Sequence, residues 1–296
     1  MARRKKTRTI NKDRSKLIKP TFKMPGSKAV LGVKFIRRKL FPMNVNRYFE
    51  GFHGRGNMFF NYVFHNGKAK EFHLNDLNQH YFMKALKEYN GDYSFVDEGP
   101  IRKHHHKFWF EHEPCFEREL AESYVCRSGA KFTVNIDPKK DPHNKLTNKN
   151  KSSGVNETTE EKVGNYYCRL NTIHRFKSAR HLLRTRNTFL HNMDYLTFLK
   201  QFELVENDFI YLDPPYLCDQ EVFYANINHV EFLDFCLAQK CKIAISGYWS
   251  DLYGKKLKDW NMVKIGHAST LRAADEYGRK PVVYDYLWVN YDLPTS

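Results

Sequence analysis

The stretch FIYLDPPYL, residues 209–217, runs from apolar and aromatic residues into an acid, two prolines and a tyrosine. Its first half reads as a short buried strand. In an open α/β sheet, the side chains at the carboxyl end of a strand project into the ligand crevice, and Asp213 stands at that end. Pro214 and Pro215 fix their own φ angles and remove two backbone donors. Carbonyl oxygens then face the crevice with no N–H to compete. The Asp213 carboxylate and the Pro214 carbonyl form a pair of acceptors, which suits a group with two protons to give, an –NH₂. Tyr216 offers a flat face for a planar ring. Together these four residues describe a pocket for an exocyclic amine on an aromatic base.

Outward from this stretch, strand-like and helix-like segments alternate. AVLGVKFIRRKLF (29–41) reads as a helix, RYFEGF (47–52) as a strand, MFFNYVFHN (58–66) as a helix and AKEFHLND (69–76) as a strand. HYFMKALKEY (80–89) and the basic RLNTIHRFKSARHLL (169–183) read as helices. TFLHN, YLTFLKQF, DFIYLD, HVEFLDFCLAQ and KIAISGYW continue the alternation, and MVKIGHA and VVYDYLWVNY close it as a strand pair. Strand–helix alternation predicts an α/β fold with a doubly wound sheet. Residues 91–164 differ, being rich in His, charge and turn residues, and within them 137–162 is almost free of apolar side chains. That region is expected to be an insertion containing a flexible loop. The catalytic sheet is then expected from residues 21–90 and 165–296.

Between the first strand and its helix lies EGFHGRGN (50–57). Gly54 and Gly56 allow a sharp bend and close backbone approach to a ligand. Asp76 follows Gly56 by twenty residues at the end of the next strand. An acid at that distance accepts hydrogen bonds from ribose hydroxyls in dinucleotide-binding folds. The loop is not a phosphate-binding G-x-x-x-x-G-K-[ST]. A ligand with an adenosine and no phosphates fits better, which points to S-adenosylmethionine.

Composition narrows the partner. Lys and Arg number 49 against 33 acids, a net charge of +16. That favours a polyanion, most simply nucleic acid. Residues 1–20 hold nine Lys and Arg and one Asp, a surplus of eight and half the net charge. They read as a disordered basic arm in which Arg3, Arg4, Lys5 and Lys6 could grip phosphates. The mean hydropathy is −0.68 and no membrane span is expected. None of the six cysteines forms a C-x-x-C pair, so reduced thiols in a cytoplasmic protein are expected, or a nuclear one in a eukaryotic host. The run His104-His105-His106 fits no standard metal spacing, because adjacent histidines cannot all face one ion, so no metal is assigned.

The motifs in order resemble the Dam-like DNA adenine-N6 methyltransferases. KMPGSK (23–28) stands where that family has Lys-Trp-x-Gly-Gly-Lys, and EGFHGRG (50–56) where it has Glu-Pro-Phe-x-Gly-x-Gly. Asp76-Leu77-Asn78 matches an Asp-x-Asn element, Asn192-Met193-Asp194-Tyr195 an Asn-x-Asp before an aromatic, then DPPY, then LWVNY (287–291) for the late strand. The resemblance spans most of residues 23–291. It implies a Rossmann-like doubly wound S-adenosylmethionine-dependent methyltransferase sheet with an inserted, mostly helical target-recognition domain. It implies that Met24, Lys28, Glu50, Phe52, Gly54, Gly56, Asp76, Asp194 and Asp213 line the cofactor site. Asp213, Pro214, Pro215 and Tyr216 would hold the target base, and Asp before Pro-Pro favours adenine over cytosine-N4. Arg127 and Lys131, in CRSGAKFTVN (126–135), are candidate nucleic-acid contacts. The chain departs from the pattern at Met24 for Trp, Ser27 for Gly, Gly51 for Pro, and Arg55 within the loop. The expected partner is double-stranded DNA, bound by a monomer or weak dimer. The same chemistry on RNA, and an inactive methyltransferase-like scaffold that binds nucleic acid, remain open from the sequence.

Overall fold

A computed structural model describes residues 17–22, 27–93, 120, 166–217, 227–267 and 283–294. Residues 1–16 of the expected basic arm and nearly all of the expected insertion lie outside these residues. The last four residues of the arm, 17–20, are held on the fold, the Ile18 amide donating to Ser178 Oγ at 3.2 Å and Lys19 Nζ to Asn61 Oδ1 at 2.9 Å.

The first half alternates as its periodicity predicts: α1 (Leu31–Arg37), β1 (Arg47–Glu50), α2 (Asn57–Phe64), β2 (Glu71–Asn75) and α3 (His80–Glu88). After 91–164 come α4 (Tyr166–Thr185), β3 (Thr188–His191), α5 (Tyr195–Lys200), β4 (Phe209–Leu212), α6 (His229–Leu237) and β5 (Lys242–Tyr248). The last elements are α7 (Asp251–Lys256), β6 (Asn261–His267) and β7 (Tyr284–Val289). The sequence reading has every one of these except α7. That short helix is started by Ser250, whose side chain accepts from the Tyr253 amide.

The seven strands form one sheet in the order β3-β2-β1-β4-β5-β7-β6. Strands β1 to β5 pair in parallel, and β7 runs antiparallel to both β5 and β6. The order reverses between β1 and β4, so the ligand crevice of such a sheet opens at their carboxyl ends. Arg47 and Asp208 pin the opposite ends of that central pair with a two-pronged bond, Nε to Oδ1 at 3.1 Å and Nη2 to Oδ2 at 2.5 Å.

Side-chain alternation along the strands sorts the core into two layers. Tyr48, Phe72, Phe209, Tyr211 and Leu287 face α1, α2, α3 and α4, packing with Phe35, Phe59, Phe82 and Phe176. Phe49, Ile210, Leu212, Ile243, Ile245 and Trp288 face α5, α6 and α7, packing with Phe198, Phe232 and Tyr253. Helices on both faces explain why all four residues of β4 are buried. The chain is therefore a doubly wound α/β protein with an antiparallel strand inserted at one side.

Candidate active site

The glycine loop leaves β1 at Glu50 and enters α2 at Asn57. Gly54 (φ 53°) and Gly56 (φ 70°) both take the left-handed region, where a side chain is strained. Asp76, at the end of β2, holds this loop. Its Oδ2 accepts from the Gly54 amide at 2.8 Å, and its Oδ1 accepts from the amides of Asn78 and Gln79, both at 2.8 Å. A carboxylate offers about four lone-pair sites, so Asp76 braces the loop and keeps one acceptor site for a ligand. Beside it Asn75, fully buried, donates to the carbonyls of Gly51 (3.1 Å) and Met193 (2.9 Å) and accepts from the Met193 amide (3.1 Å). One amide thus ties the ends of β1, β2 and β3 together. Asn192 adds two bonds from the β3 side, to the carbonyls of Asp76 and Leu77. Asp194 is exposed and caps α5, its Oδ1 accepting from Leu196 and Thr197. Phe52 packs its ring on Tyr195 at 4.9 Å, between the loop and that helix.

Glu50 lies beneath the loop and is only 1% exposed. Burial pushes its carboxyl well above the usual carboxylate range. The Tyr48 hydroxyl donates to it at 2.9 Å and the Phe59 amide bonds it as well, which offsets part of that shift.

At the end of β4, Asp213 collects three donors. Lys28 Nζ lies 2.8 Å from Oδ2, and Ser246 Oγ and the Tyr216 hydroxyl donate to Oδ1 at 2.7 and 3.1 Å. Tyr211 bonds Ser246 in turn at 2.7 Å. The same Lys28 ammonium stands 5.0 Å over the Tyr216 ring. Tyr216 also packs on Tyr248, with ring centroids 4.3 Å apart. Asp285 of β7 is buried close by. Burial raises its carboxyl above the ordinary value, Lys28 opposes that shift, and Asp213 adds to it. Lys28 thus sits where the sequence places an amine and a stacked ring.

The departures from the resembled motif have local reasons. Gly51 donates its amide to the Tyr211 carbonyl (3.4 Å), which a proline could not do, and a Cβ there would come within 2.8 Å of Leu212. Arg55 folds back from the loop. Its guanidinium lies 5.1 Å over the Phe82 ring and its Nε donates to Gln79. Ser27 accepts from Asn57 Nδ2 at 3.0 Å, anchoring the start of the chain's first helix to α2.

Lys28, Glu50, Phe52, Gly54, Gly56, Asp76 and Asp213 to Tyr216 all gather around the carboxyl ends of β1, β2 and β4, and Asp194 stands at the end of β3. Met24, Arg127, Lys131, the arm residues Arg3, Arg4, Lys5 and Lys6, and the His104–His106 run lie outside the described residues. Sequence reasoning missed Asn75, Ser246 and Asp285. A polar residue inside an otherwise apolar strand run, as in KIAISGYW and VYDYLWV, is the signal that could have flagged the last two.

No protein-family model and no curated protein matches this sequence. Among solved structures, Trm5b from Pyrococcus abyssi aligns at 12% identity and a TM-score of 0.31, over 92% of this chain and 50% of its own. A structure from Listeria monocytogenes, assigned by its name to the class I S-adenosylmethionine-dependent methyltransferases, aligns at 9% identity and a TM-score of 0.34, over 93% of this chain and 64% of its own. The chain therefore spans about half to two thirds of the length of these two proteins.

Proposed function

We propose that the protein is an S-adenosylmethionine-dependent DNA methyltransferase that modifies the N6 amino group of adenine. The observation that carries this reading is Asp213-Pro214-Pro215-Tyr216 at the carboxyl end of β4, beside the glycine loop of β1 at the point where strand order reverses.

The donor set suits the cofactor. Gly54 and Gly56 form a floor without side chains, Asp76 has an acceptor site for a ribose hydroxyl, and Phe52 and Asp194 border the side on which an adenine would lie. The carboxylates of Asp76 and Asp213 favour a cationic sulfonium, and no basic phosphate cradle is present in the loop. When bound, S-adenosylmethionine supplies an electrophilic methyl group.

The chain's own residues then have defined tasks. Adenine N6 is a poor nucleophile because its lone pair is delocalised into the ring. Asp213 and the Pro214 carbonyl would accept hydrogen bonds from its two N–H groups, which favours a more pyramidal nitrogen as it takes the methyl group, and the surplus proton of the methylated amine would then leave to solvent. Tyr216 stacks on the ring and fixes the angle of attack. Ser246 and Tyr216 orient the Asp213 carboxylate through Oδ1. Lys28 must withdraw from Oδ2 for the amine to bind there, so in this geometry it stands in for the substrate. In duplex DNA the base must also leave the stack, at a cost of about a few kcal/mol.

The test is transfer of labelled methyl from S-adenosylmethionine to duplex DNA and, in parallel, to RNA. Label recovered as N6-methyladenine in DNA is expected. Asp213→Ala should abolish transfer while retaining most cofactor affinity, measured by calorimetry; normal turnover in that variant would sink the mechanism. Label in RNA alone would keep the pocket and reassign the substrate.

A further inference from the structure

We infer that the outer face formed by α1 and β6 is a phosphate-binding surface for duplex DNA, contiguous with the Asp213 pocket. This rests on the reading of the protein as a DNA methyltransferase and adds to it the place where the backbone is held.

Two segments far apart in sequence build the face. Lys34 and Arg37 on α1 and Arg38, which caps its C-terminus, are exposed; Arg37 and Arg38 lie three and four residues after Lys34, so the three share one side of the helix end. On β6, Lys264 is exposed, with its ammonium over the Tyr284 ring. The two are joined directly, since Arg38 Nη1 donates to the Lys264 carbonyl at 3.3 Å. Lys34 reaches the same strand: a Cβ placed on Gly266 would lie 3.2 Å from its Nζ. Neither α1 nor β6 contains an acid, the nearest in sequence being Asp259 ahead of β6. A charge run on a lone helix is usually a solvated face. Here the cations come instead from two packed elements, and they converge.

The location gives the face its partner. Gly266 pairs in register with Asp285, and Asp285 lies within the electrostatic reach of Lys34 on one side and of Lys28 and Asp213 on the other. A line of cations thus runs from the pocket rim down the edge of the sheet. A base drawn into the pocket leaves its flanking phosphates at the rim, spaced at about one charge per 1.7 Å of duplex axis. Arg38 is tied to the Lys264 carbonyl and Lys264 lies over the Tyr284 ring, so the face would position the duplex through its phosphates and not select sequence.

The experiment compares wild type with the triple variant Lys34→Ala/Arg38→Ala/Lys264→Ala, and with a control, Lys200→Ala/Lys258→Ala, whose exposed cations lie at the end of α5 and in the turn between α7 and β6. Affinity for a fluorescent DNA duplex is measured by anisotropy across a salt series, alongside cofactor binding. The triple variant should lose at least about tenfold in affinity near 0.1 M salt, and its log–log salt slope should fall by about 2 to 3, near 0.9 for each phosphate contact removed. Cofactor affinity should not change, and the control should behave as wild type. An unchanged slope in the triple variant, with methyl transfer to DNA intact in the wild type, would overturn the surface and leave the proposed function standing. The expected slope change in a protein that transfers no methyl to DNA would do the reverse. A loss confined to an RNA hairpin would overturn duplex DNA as the occupant.

Discussion

At the scale of single residues, Lys28 and Asp213 form the most informative pair. Their side chains are 7% and 17% exposed, so each depends on the other for solvation, and a partner removed from a largely buried pair is missed. Lys28→Met should lower stability by about 1–3 kcal/mol, read from denaturant unfolding. It should also open Oδ2 to an incoming amine, so affinity for a duplex holding an unpaired adenine should not fall in parallel with stability. Parallel loss of both would mean that Lys28 contributes to binding the base and does not merely stand in for it. The sequence made Asp213 and Tyr216 legible because proline chemistry marks them. It left Ser246 and Asp285 obscure because their relation to Asp213 exists only after β5 and β7 pair.

At the scale of elements, the strand ends are held by side chains, not by the loops alone. Asn75 makes three hydrogen bonds linking the ends of β1, β2 and β3. Asn75→Ala should cost about 2–3 kcal/mol, since buried backbone groups are left without partners. It should also weaken cofactor binding by loosening the Gly54–Gly56 turn, measured by calorimetry on the folded variant. Full cofactor affinity in a destabilised variant would separate the brace from the site. Most elements were legible from period and apolar content. The exception, α7, is six residues long with Gly254 inside it, too short for a helical period to emerge. Its glycine sits where a Cβ would come within 2.5 Å of Trp249, a close approach visible only in three dimensions.

At the scale of the whole molecule, histidines and net charge set the response to acid. His73 Nδ1 and His191 Nε2 lie 3.3 Å apart, and His80 Nδ1 lies 3.1 Å from the His191 carbonyl. Burial lowers His53 and His73, and takes His191 down to about 4 from 6.5, with the neighbouring histidines adding to the effect. His53 is buried, so charging it would be costly too. Between pH 6.5 and 4 these histidines bind more protons in the unfolded chain than in the folded one, so their contribution to stability falls as pH falls through that window, while the raised carboxyls of Glu50 and Asp285 act in the opposite direction. Unfolding free energies at pH 7.5, 6 and 5 should fall more steeply towards acid in the wild type than in His191→Gln; an identical pH dependence would remove the cluster from the account. The α/β class was legible at this scale from strand–helix alternation. The order of the strands was not, because it depends on pairings between residues far apart in the chain.

The position of β7 bears on how the chain acquires its shape during synthesis. β7 leaves the ribosome after β6, yet it lies between β5 and β6 and, among the described residues, is the only strand that pairs with β6. Until it arrives, the edges of β5 and β6 are exposed templates, open to pairing with other chains. A nascent protein stalled before residue 284 would hold the glycine loop and Asp213 but lack Asp285. Translation and chaperone capture, not only sequence, would then decide how much of it reaches the finished sheet.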